Sequence, residues 1–157
     1  MCCLNSNPKT GFCLKPNEHI NLYSKSMKGY VANIGQDTEN NTDFRRVLYT
    51  AHHSQLVLMS LKPGEEIGSE VHPNVDQFFR FEKGSGQVII DGATHEIQAE
   101  FAVVVPAGAE HNVINTGAEE LKLYTIYSPA EHQDGVVRAT KADAIAQPEE
   151  FDGKTTE

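Results

Sequence analysis

The sequence is short of the features that mark membrane proteins and nucleic-acid-binding proteins. Its 157 residues include no run of about 18 apolar residues, the length that a transmembrane helix requires. Basic residues are also few: 13 Lys and Arg stand against 22 Asp and Glu, giving a formal net charge of -9 without a basic cluster. This balance argues against a nucleic-acid partner and against binding to an anionic membrane surface.

Cysteine is scarce and confined to one end of the chain. The three cysteines are Cys2, Cys3 and Cys13. An odd number of cysteines at one end of the chain argues against a disulfide framework that cross-links the core. The same stretch lacks the apolar segment of a signal peptide, so we expect a cytoplasmic protein. We interpret residues 1–27 as a loosely ordered extension. The alternative is a zinc site formed with His19, but the spacing matches no established zinc pattern.

Length and composition predict one globular domain. A chain of 157 residues is typical of a single domain, and 39% apolar residues are sufficient for one core. We place this domain at residues 28–147 and expect a polar, frayed tail over 148–157.

Short segments rich in β-branched and aromatic residues alternate with turn signals over most of the domain. They recur about every eight to twelve residues with almost no helical period, which is typical of an antiparallel sandwich or barrel. Asp91-Gly92 is a strong hairpin signal between two of them. One weak helix is predicted over Lys141–Ala146, with Thr140 as its N-cap. The predicted strands cover residues 46–50, 55–62, 77–82, 87–90, 95–98, 101–105, 111–115 and 121–127.

Four polar residues from two separate stretches form a candidate metal site. Glu70 and His72 are two residues apart, so on an extended strand their side chains share one face. Gln77 begins the next strand, and His111 opens another strand after the turn at 106–108. Imidazole and carboxylate ligands that converge inside a barrel suit iron, manganese, nickel, cobalt or zinc. Such a site leaves coordination positions open for substrate or water.

These two stretches resemble the two motifs of the cupin family, whose fold is the double-stranded β-helix, or jelly-roll barrel. The residues at the positions of the first motif are Gly64, Glu70, His72, Gln77 and Gly84, and those of the second are Pro106, Gly108, His111 and Asn115. The resemblance covers about residues 44–129. It implies an all-β cupin barrel, here with a short N-terminal extension and a weak C-terminal helix.

Three positions depart from the family pattern. Glu70 stands where the first His ligand is expected, Gln77 where the Glu ligand is expected, and Glu100 where the second motif has Gly. The first two departures amount to a swap that keeps one negative ligand charge and loses one imidazole. Gln77 is either a weak ligand or a hydrogen-bond partner of bound water.

The resemblance implies a metal-dependent protein for a small oxygen-bearing molecule. The run from Glu70 to Gln77 is similar to small single-domain cupins whose names echo mannose-6-phosphate isomerase. A Lewis-acid isomerase or lyase for a sugar phosphate, dicarbonyl or keto acid is therefore expected. A non-haem iron oxygenase is an alternative function, since two His and one carboxylate are typical of such iron centres. A binding protein without catalysis also stays open, because no general base is identifiable.

Further residues are assigned by strand parity and by analogy with barrels. Parity from Gln77 points Phe79 and Phe81 inward, where a core role is the simplest one. These two residues and Tyr124 are candidates for contacting the small-molecule ligand. Three tyrosines could act as a base only if they face the cavity: Tyr49, Tyr124 and Tyr127. Four histidines are placed in loops or on the solvent side and given no role: His52, His53, His95 and His132.

Barrels of this kind commonly pair through their edge strands, since an open edge needs cover. The resemblance therefore implies a homodimer in which the segment before Gln55 helps to cover the partner.

Overall fold

The computed structural model describes residues 28–157. The extension predicted over 1–27 and the alternative zinc site of Cys2, Cys3, Cys13 and His19 lie outside the described residues. In the described part, strands dominate and the two helices are short. The elements are α1 (Ile34–Asn40), β1 (Arg45–Thr50), β2 (Gln55–Leu61), β3 (Glu70–Val71), β4 (Asp76–Lys83), β5 (Ser85–Ile90), β6 (Ala93–Gln98), β7 (Ala102–Val105), β8 (Glu110–Ile114), β9 (Leu121–Ser128), β10 (Val137–Arg138) and α2 (Lys141–Ala146).

The strands form two antiparallel sheets that share one core. The larger sheet has the order β10-β1-β2-β9-β4-β7, and the smaller has the order β3-β8-β5-β6. Buried side chains from both sheets, such as Phe79 and Leu123 from the larger and Val88 and Val113 from the smaller, belong to one hydrophobic cluster. The predicted all-β jelly-roll barrel is confirmed, and its long strands lie where the sequence indicated.

Strand parity decides which side chains enter the barrel. On β4, Gln77, Phe79 and Phe81 are buried, as parity predicts, whereas Arg80 faces outward. Arg80 there forms an ion pair with Glu100. Successive side chains of a strand point to opposite faces, so one inward residue fixes the rest. The inward Gln77 is therefore carried into the barrel by the same alternation that buries its aromatic neighbours.

Backbone geometry explains the hairpin glycine Gly92 and the motif glycine Gly84. The Asp91-Gly92 turn joins β5 to β6 with φ values of 46° and 80°, the geometry of a type I′ hairpin. At Gly84 (φ 85°), a Cβ would meet the Glu120 carbonyl oxygen at 2.8 Å. Only Gly fits at this position without moving the backbone at the start of β9.

Glu100 occupies the position where the motif resemblance predicts Gly, and its backbone explains that preference. Its φ is 73°, a left-handed conformation that costs a non-Gly residue about 1–2 kcal/mol. The Arg80 guanidinium donates to the Glu100 carboxylate at 2.6 Å and to its carbonyl at 2.8 Å. These contacts offset part of the cost and hold the turn before β7.

The helices differ in how well the sequence predicts them. α2 spans Lys141–Ala146 with Thr140 as N-cap, as predicted, and Thr140 and Asp143 form a capping box. α1 was not predicted, because seven residues are too few to show a helical period; it packs against β4 and β9. None of the helices in the described residues is long and apolar enough to cross a membrane.

The expectation of a frayed C-terminal tail is wrong. The Glu149 side chain is only 3% exposed and pairs with Arg45 at 3.2 Å and with Arg138 at 3.0 Å. Further along, the Phe151 N–H donates to the Glu131 carbonyl at 2.9 Å. The polarity of the tail predicts fraying, but the Glu149 carboxylate and the Phe151 N–H both have partners in the rest of the domain.

Candidate metal centre

The two sheets bring the four predicted ligands to one place in the barrel. Glu70 on β3 and His111 on β8 are cross-strand partners in the smaller sheet. His72 follows β3, and its carbonyl accepts a hydrogen bond from Gly108 N–H at 2.9 Å, which joins the two motif stretches. Gln77 enters from β4 of the larger sheet and contacts His111.

Distances between the donor atoms suit a single ion. Glu70, His72 and His111 can each place one donor atom within 4.8 Å of the others. Glu70 Oε2 lies 3.4 Å from His72 Nε2, and Gln77 Oε1 lies 2.9 Å from His111 Nε2. Ligands about 2.1 Å from a metal and at right angles to each other are about 3 Å apart. Each pair therefore has the spacing of neighbouring coordination positions.

The buried nitrogens and oxygens of the site fit a metal better than they fit one another. In the tautomer that donates from Nδ1 to the Ala109 carbonyl, 3.2 Å away, His111 keeps a lone pair on Nε2. That lone pair faces Gln77 Oε1, which is also an acceptor, because the Gln77 amide N–H donates to Thr125 Oγ1 at 3.0 Å. His72 Nε2 is buried without any hydrogen-bond partner. A cation at this point could be bound by His111 Nε2 and Gln77 Oε1, and by His72 Nε2 once that ring has lost its proton.

The electrostatics of the site also favour a positive charge. His72 lies between two carboxylates, with Nδ1 3.3 Å from Glu131 Oε1 and Nε2 3.4 Å from Glu70 Oε2. Glu131 and then Glu70 raise the pKa of His72 to about 9, although burial acts in the opposite direction. In a protein without metal, the proton on His72 supplies the positive charge that these carboxylates favour.

The aromatic candidates differ in their relation to the site. The rings of Phe79 and His111 are 6.0 Å apart, so Phe79 borders the site, whereas Phe81 stacks on the far side of Phe79 in the core. Tyr124 is brought no nearer: it lies on the outer face of β9 and packs against Phe78, with the ring centroids 6.3 Å apart. Tyr124 therefore faces away from the four predicted ligands, because the inward positions of β9 near it are Leu123 and Thr125.

Of the three tyrosines considered as bases, one faces the barrel interior near the site. Tyr127 is fully buried, its ring is 5.7 Å from that of His72, and its hydroxyl lies beside the Gln77 amide. Burial is the main reason why the pKa of Tyr127 is raised. Tyr49 instead donates its hydroxyl to Glu157 at the surface. Tyr127 therefore stays neutral and can donate a hydrogen bond, but it is a poor base.

His132 lies in the loop between β9 and β10, one of the two placements predicted for it, but it is not exposed to solvent. This residue is buried, its ring packs edge-on against Tyr127 at 5.0 Å, and neither ring nitrogen has a hydrogen-bond partner. Glu149 Oε1 lies 3.3 Å from its Nδ1, but that carboxylate is already paired with Arg45 and Arg138. The pKa of His132 is lowered to about 2, mainly because burial disfavours the charged ring. The positive charges of Arg45, His72 and Arg138 lower it further.

This buried His132 predicts a loss of stability in mild acid. Its pKa is lower in the folded protein than its ordinary 6.5, so below pH 6.5 the unfolded chain binds the proton first. The unfolding free energy of the wild type should therefore fall as the pH falls, by up to about 1.4 kcal/mol per pH unit from this group. His132→Leu should remove that part of the slope, measured by urea denaturation between pH 6.5 and 4.5.

The exposed His95 on β6 provides the control for this measurement. His95→Leu should keep the wild-type slope. His72 does not confuse the comparison, because its raised pKa affects stability between pH 6.5 and about 9, where stability falls as the pH rises. Equal slopes for wild type and His132→Leu would show that His132 takes up a proton in the folded protein.

Two residues at the site were missed by the sequence reasoning. Thr125, which orients the Gln77 amide, could have been found by parity, since it alternates inward with Leu123 and Tyr127 on β9. Glu131 follows β9 in a segment without a motif, and nothing in a single sequence relates it to His72, 59 residues earlier. Its contact depends on the closure of the barrel.

Comparison with known proteins gives the same fold. The family model of the cupin domain (Cupin_2) matches residues 57–127. The uncharacterized protein YrkC of Bacillus subtilis is 50% identical over 125 residues, covering 76% of this chain and 67% of YrkC. The crystal structure of BH2720 from Bacillus halodurans has a TM-score of 0.75 and 44% identity, covering 78% of this chain and 97% of that one. A Klebsiella pneumoniae protein with a double-stranded β-helix domain has a TM-score of 0.57 and 19% identity, covering 72% of this chain and 100% of that one, and is similar in fold alone.

Proposed function

The chain belongs to the cupin superfamily, and from this premise we propose that it binds a divalent metal and acts through it on a small molecule with neighbouring oxygens. Glu70, His72, Gln77 and His111 would hold the metal. The observation that carries the proposal is the buried His72 Nε2, which has no hydrogen-bond partner and lies among three further donors. A bound divalent metal supplies Lewis-acid polarisation of a carbonyl or hydroxyl oxygen.

The side chains around the donors would control the environment of the reaction. Phe79 and Tyr127 are buried against the two histidines and keep bulk water from the inner side of the site. Glu70 and Glu131 are partly exposed and therefore mark the side from which a ligand can enter. Tyr127, neutral and beside Gln77, would donate a hydrogen bond to a ligand oxygen rather than remove a proton.

The charges at the entrance favour a neutral dicarbonyl or a keto acid over a sugar phosphate as substrate. Two carboxylates, Glu70 and Glu131, stand at the entrance. Two partly buried arginines whose charges act on the neighbouring His132, Arg45 and Arg138, are paired with Glu149. The phosphate of a sugar phosphate, if held away from the metal, would face these carboxylates without a cationic partner, whereas a dicarbonyl or a keto acid can bind the metal through both of its neighbouring oxygens. Isomerase or lyase chemistry on such a substrate is the first form of the proposal.

A non-haem iron oxygenase is the second form. Glu70, His72 and His111 make up two histidines and one carboxylate, the ligand set of many iron(II) oxygenases. A metal-dependent binding protein without catalysis is the third form, and it is favoured by the raised pKa of Tyr127, which leaves that residue unsuited to remove a proton.

Elemental analysis of freshly purified protein tests the shared premise, and reconstitution separates the three forms. The metal-free protein would be loaded with iron(II), manganese, cobalt, nickel or zinc and offered sugars, diketones and keto acids. Turnover without oxygen supports the isomerase or lyase, turnover with oxygen uptake supports the oxygenase, and saturable binding alone supports the binding protein. Absence of metal together with negligible affinity for all five ions would refute the proposal.

Gln77→Glu should increase the affinity for a divalent metal about tenfold, because affinity rises with the charge of the ligands. Gln77 Oε1 already lies 2.9 Å from His111 Nε2, so a carboxylate oxygen can take the same position. The measurement is competition with a chelating indicator dye. Gln87→Glu, the same change on β5, is the matched control because Gln87 pairs with Glu96 in the exposed part of the smaller sheet. Equal affinities of Gln77→Glu and wild type would show that residue 77 does not bind the metal directly.

A further inference from the structure

We propose that Glu131, which lies outside both motif stretches, is a positioning residue that holds His72 in the orientation needed to bind the metal. This inference rests on the proposed metal site. Glu131 Oε1 is 3.3 Å from His72 Nδ1, and the other ring nitrogen, Nε2, is the one that faces Glu70. The Glu131 carboxylate is not among the donor atoms that converge on one point, which belong to Glu70, His72 and His111.

The chemistry of the imidazole explains what such a contact does. A carboxylate accepts the Nδ1–H of His72, so the lone pair remains on Nε2, and the ring becomes a stronger ligand. His111 shows the same arrangement with a different acceptor, because its Nδ1–H donates to the Ala109 carbonyl at 3.2 Å. Each histidine of the site therefore has an acceptor at Nδ1, but only His72 has a charged one.

The backbone of Glu131 is fixed from two sides, which distinguishes it from a surface carboxylate in chance contact. Its N–H donates to Gln55 Oε1 at 3.3 Å, and its carbonyl accepts from Phe151 N–H at 2.9 Å. Gln55 is fully buried and also holds the next residue, accepting from His132 N–H at 2.9 Å and donating to the His132 carbonyl at 2.7 Å. The core and the tail together present the Glu131 carboxylate to His72.

The first test measures the affinity of the full chain for Co²⁺ by competition titration. Glu131→Ala should weaken binding by about 10- to 100-fold, the usual effect of losing a partner of a ligating histidine. Glu131→Gln keeps an acceptor oxygen but no charge, so its affinity should lie between those of wild type and Glu131→Ala. Asp134→Asn is the matched control: it removes one charge from the same loop, and Asp134 bonds to Thr156 instead of His72. Its affinity should equal that of the wild type.

The second test has a readout that a general loosening of the loop would not change. In the Co²⁺ form, each ligating histidine with a protected Nδ1–H should give one shifted, exchangeable proton signal in the NMR spectrum. Wild type should show two such signals, for His72 and His111. Glu131→Ala should lose the His72 signal and keep that of His111, which depends on Ala109.

The outcomes separate this inference from the function on which it rests. If wild type binds Co²⁺ and Glu131→Ala binds it equally well, keeps both signals, or is matched by Asp134→Asn, the inference is wrong and the metal site stands. If wild type itself has no measurable affinity, the proposed metal site fails, and the inference fails with it.

Discussion

Replacing His111 by Ala should lower the affinity for a divalent metal by more than 100-fold. Losing a hydrogen-bond partner of a ligand typically costs 10- to 100-fold, and losing the ligand itself costs more. His111 is only 3% exposed, so no water molecule from bulk solvent easily takes its place. Its Nε2 also faces Gln77 Oε1, so the substitution removes one of two donors on that side of the site.

The same substitution should leave the barrel folded. The core consists of aliphatic and aromatic side chains of both sheets, and His111 contributes its edge contact with Phe79. A core of this size does not depend on a metal for folding, unlike a small zinc domain. Circular dichroism should show wild-type strand content, while elemental analysis after loading shows less metal. His72→Ala should behave alike, and His95→Ala on the exposed face of β6 should bind as wild type does. Full metal occupancy in His111→Ala would refute the ligand assignment.

Much of the barrel follows from local patterns in the sequence. The Asp91-Gly92 turn and Gly84 mark sharp changes of direction, and both adopt positive φ values that favour Gly and Asp over most residues. Between such turns, alternation along β4 is sufficient to point Gln77 and Phe79 inward. These features depend on residues that are near one another in the chain, so they can be read from the sequence.

The ligand set could be predicted because two kinds of sequence spacing indicate the same site. Glu70 and His72 are two residues apart, and the spacing of the cupin motifs relates them to Gln77 and His111 far along the chain. Parity alone would not have paired Glu70 with His111, since their cross-strand contact joins β3 to β8. The resemblance to the cupin motifs predicts that Glu70 and His111 belong to one site. In the structure they are directly opposite each other on β3 and β8.

The groups that support the site could not be predicted in the same way. Glu131, His132 and Glu149 lie in segments without alternation or motif, so nothing in the sequence indicates that their side chains have partners in the barrel. Each is placed by closure of the barrel: Glu131 against His72, and His132 beside Tyr127 and Glu149. Burial of polar residues through distant pairing leaves no periodic signal, because the partners are separated by many residues in the sequence.

Glu149→Ala should destabilise the protein by about 3 kcal/mol. Removing one partner of a buried ion pair costs about 3–5 kcal/mol, because the remaining charge is left without compensation. Here the carboxylate is 3% exposed and serves Arg45 and Arg138, whose side chains are 11% and 15% exposed. That slight exposure lets water reach the two guanidinium groups after the change, so the lower end of the range applies. For a domain of this size, the melting temperature should fall by about 6–12 °C.

The effect should extend to the metal centre through the tail. Phe151, two residues after Glu149, donates its N–H to the Glu131 carbonyl, so release of the tail frees one of the two backbone ties of Glu131. We therefore expect Glu149→Ala to weaken metal binding as well, but less than Glu131→Ala, since Gln55 still holds the Glu131 N–H. Thermal denaturation and Co²⁺ titration of Glu149→Ala would be compared with Glu150→Ala, an exposed neighbour with the same charge. If Glu149→Ala and Glu150→Ala have the same melting temperature, the ion pairs of Glu149 do not stabilise the fold, and the tail is held by its other contacts.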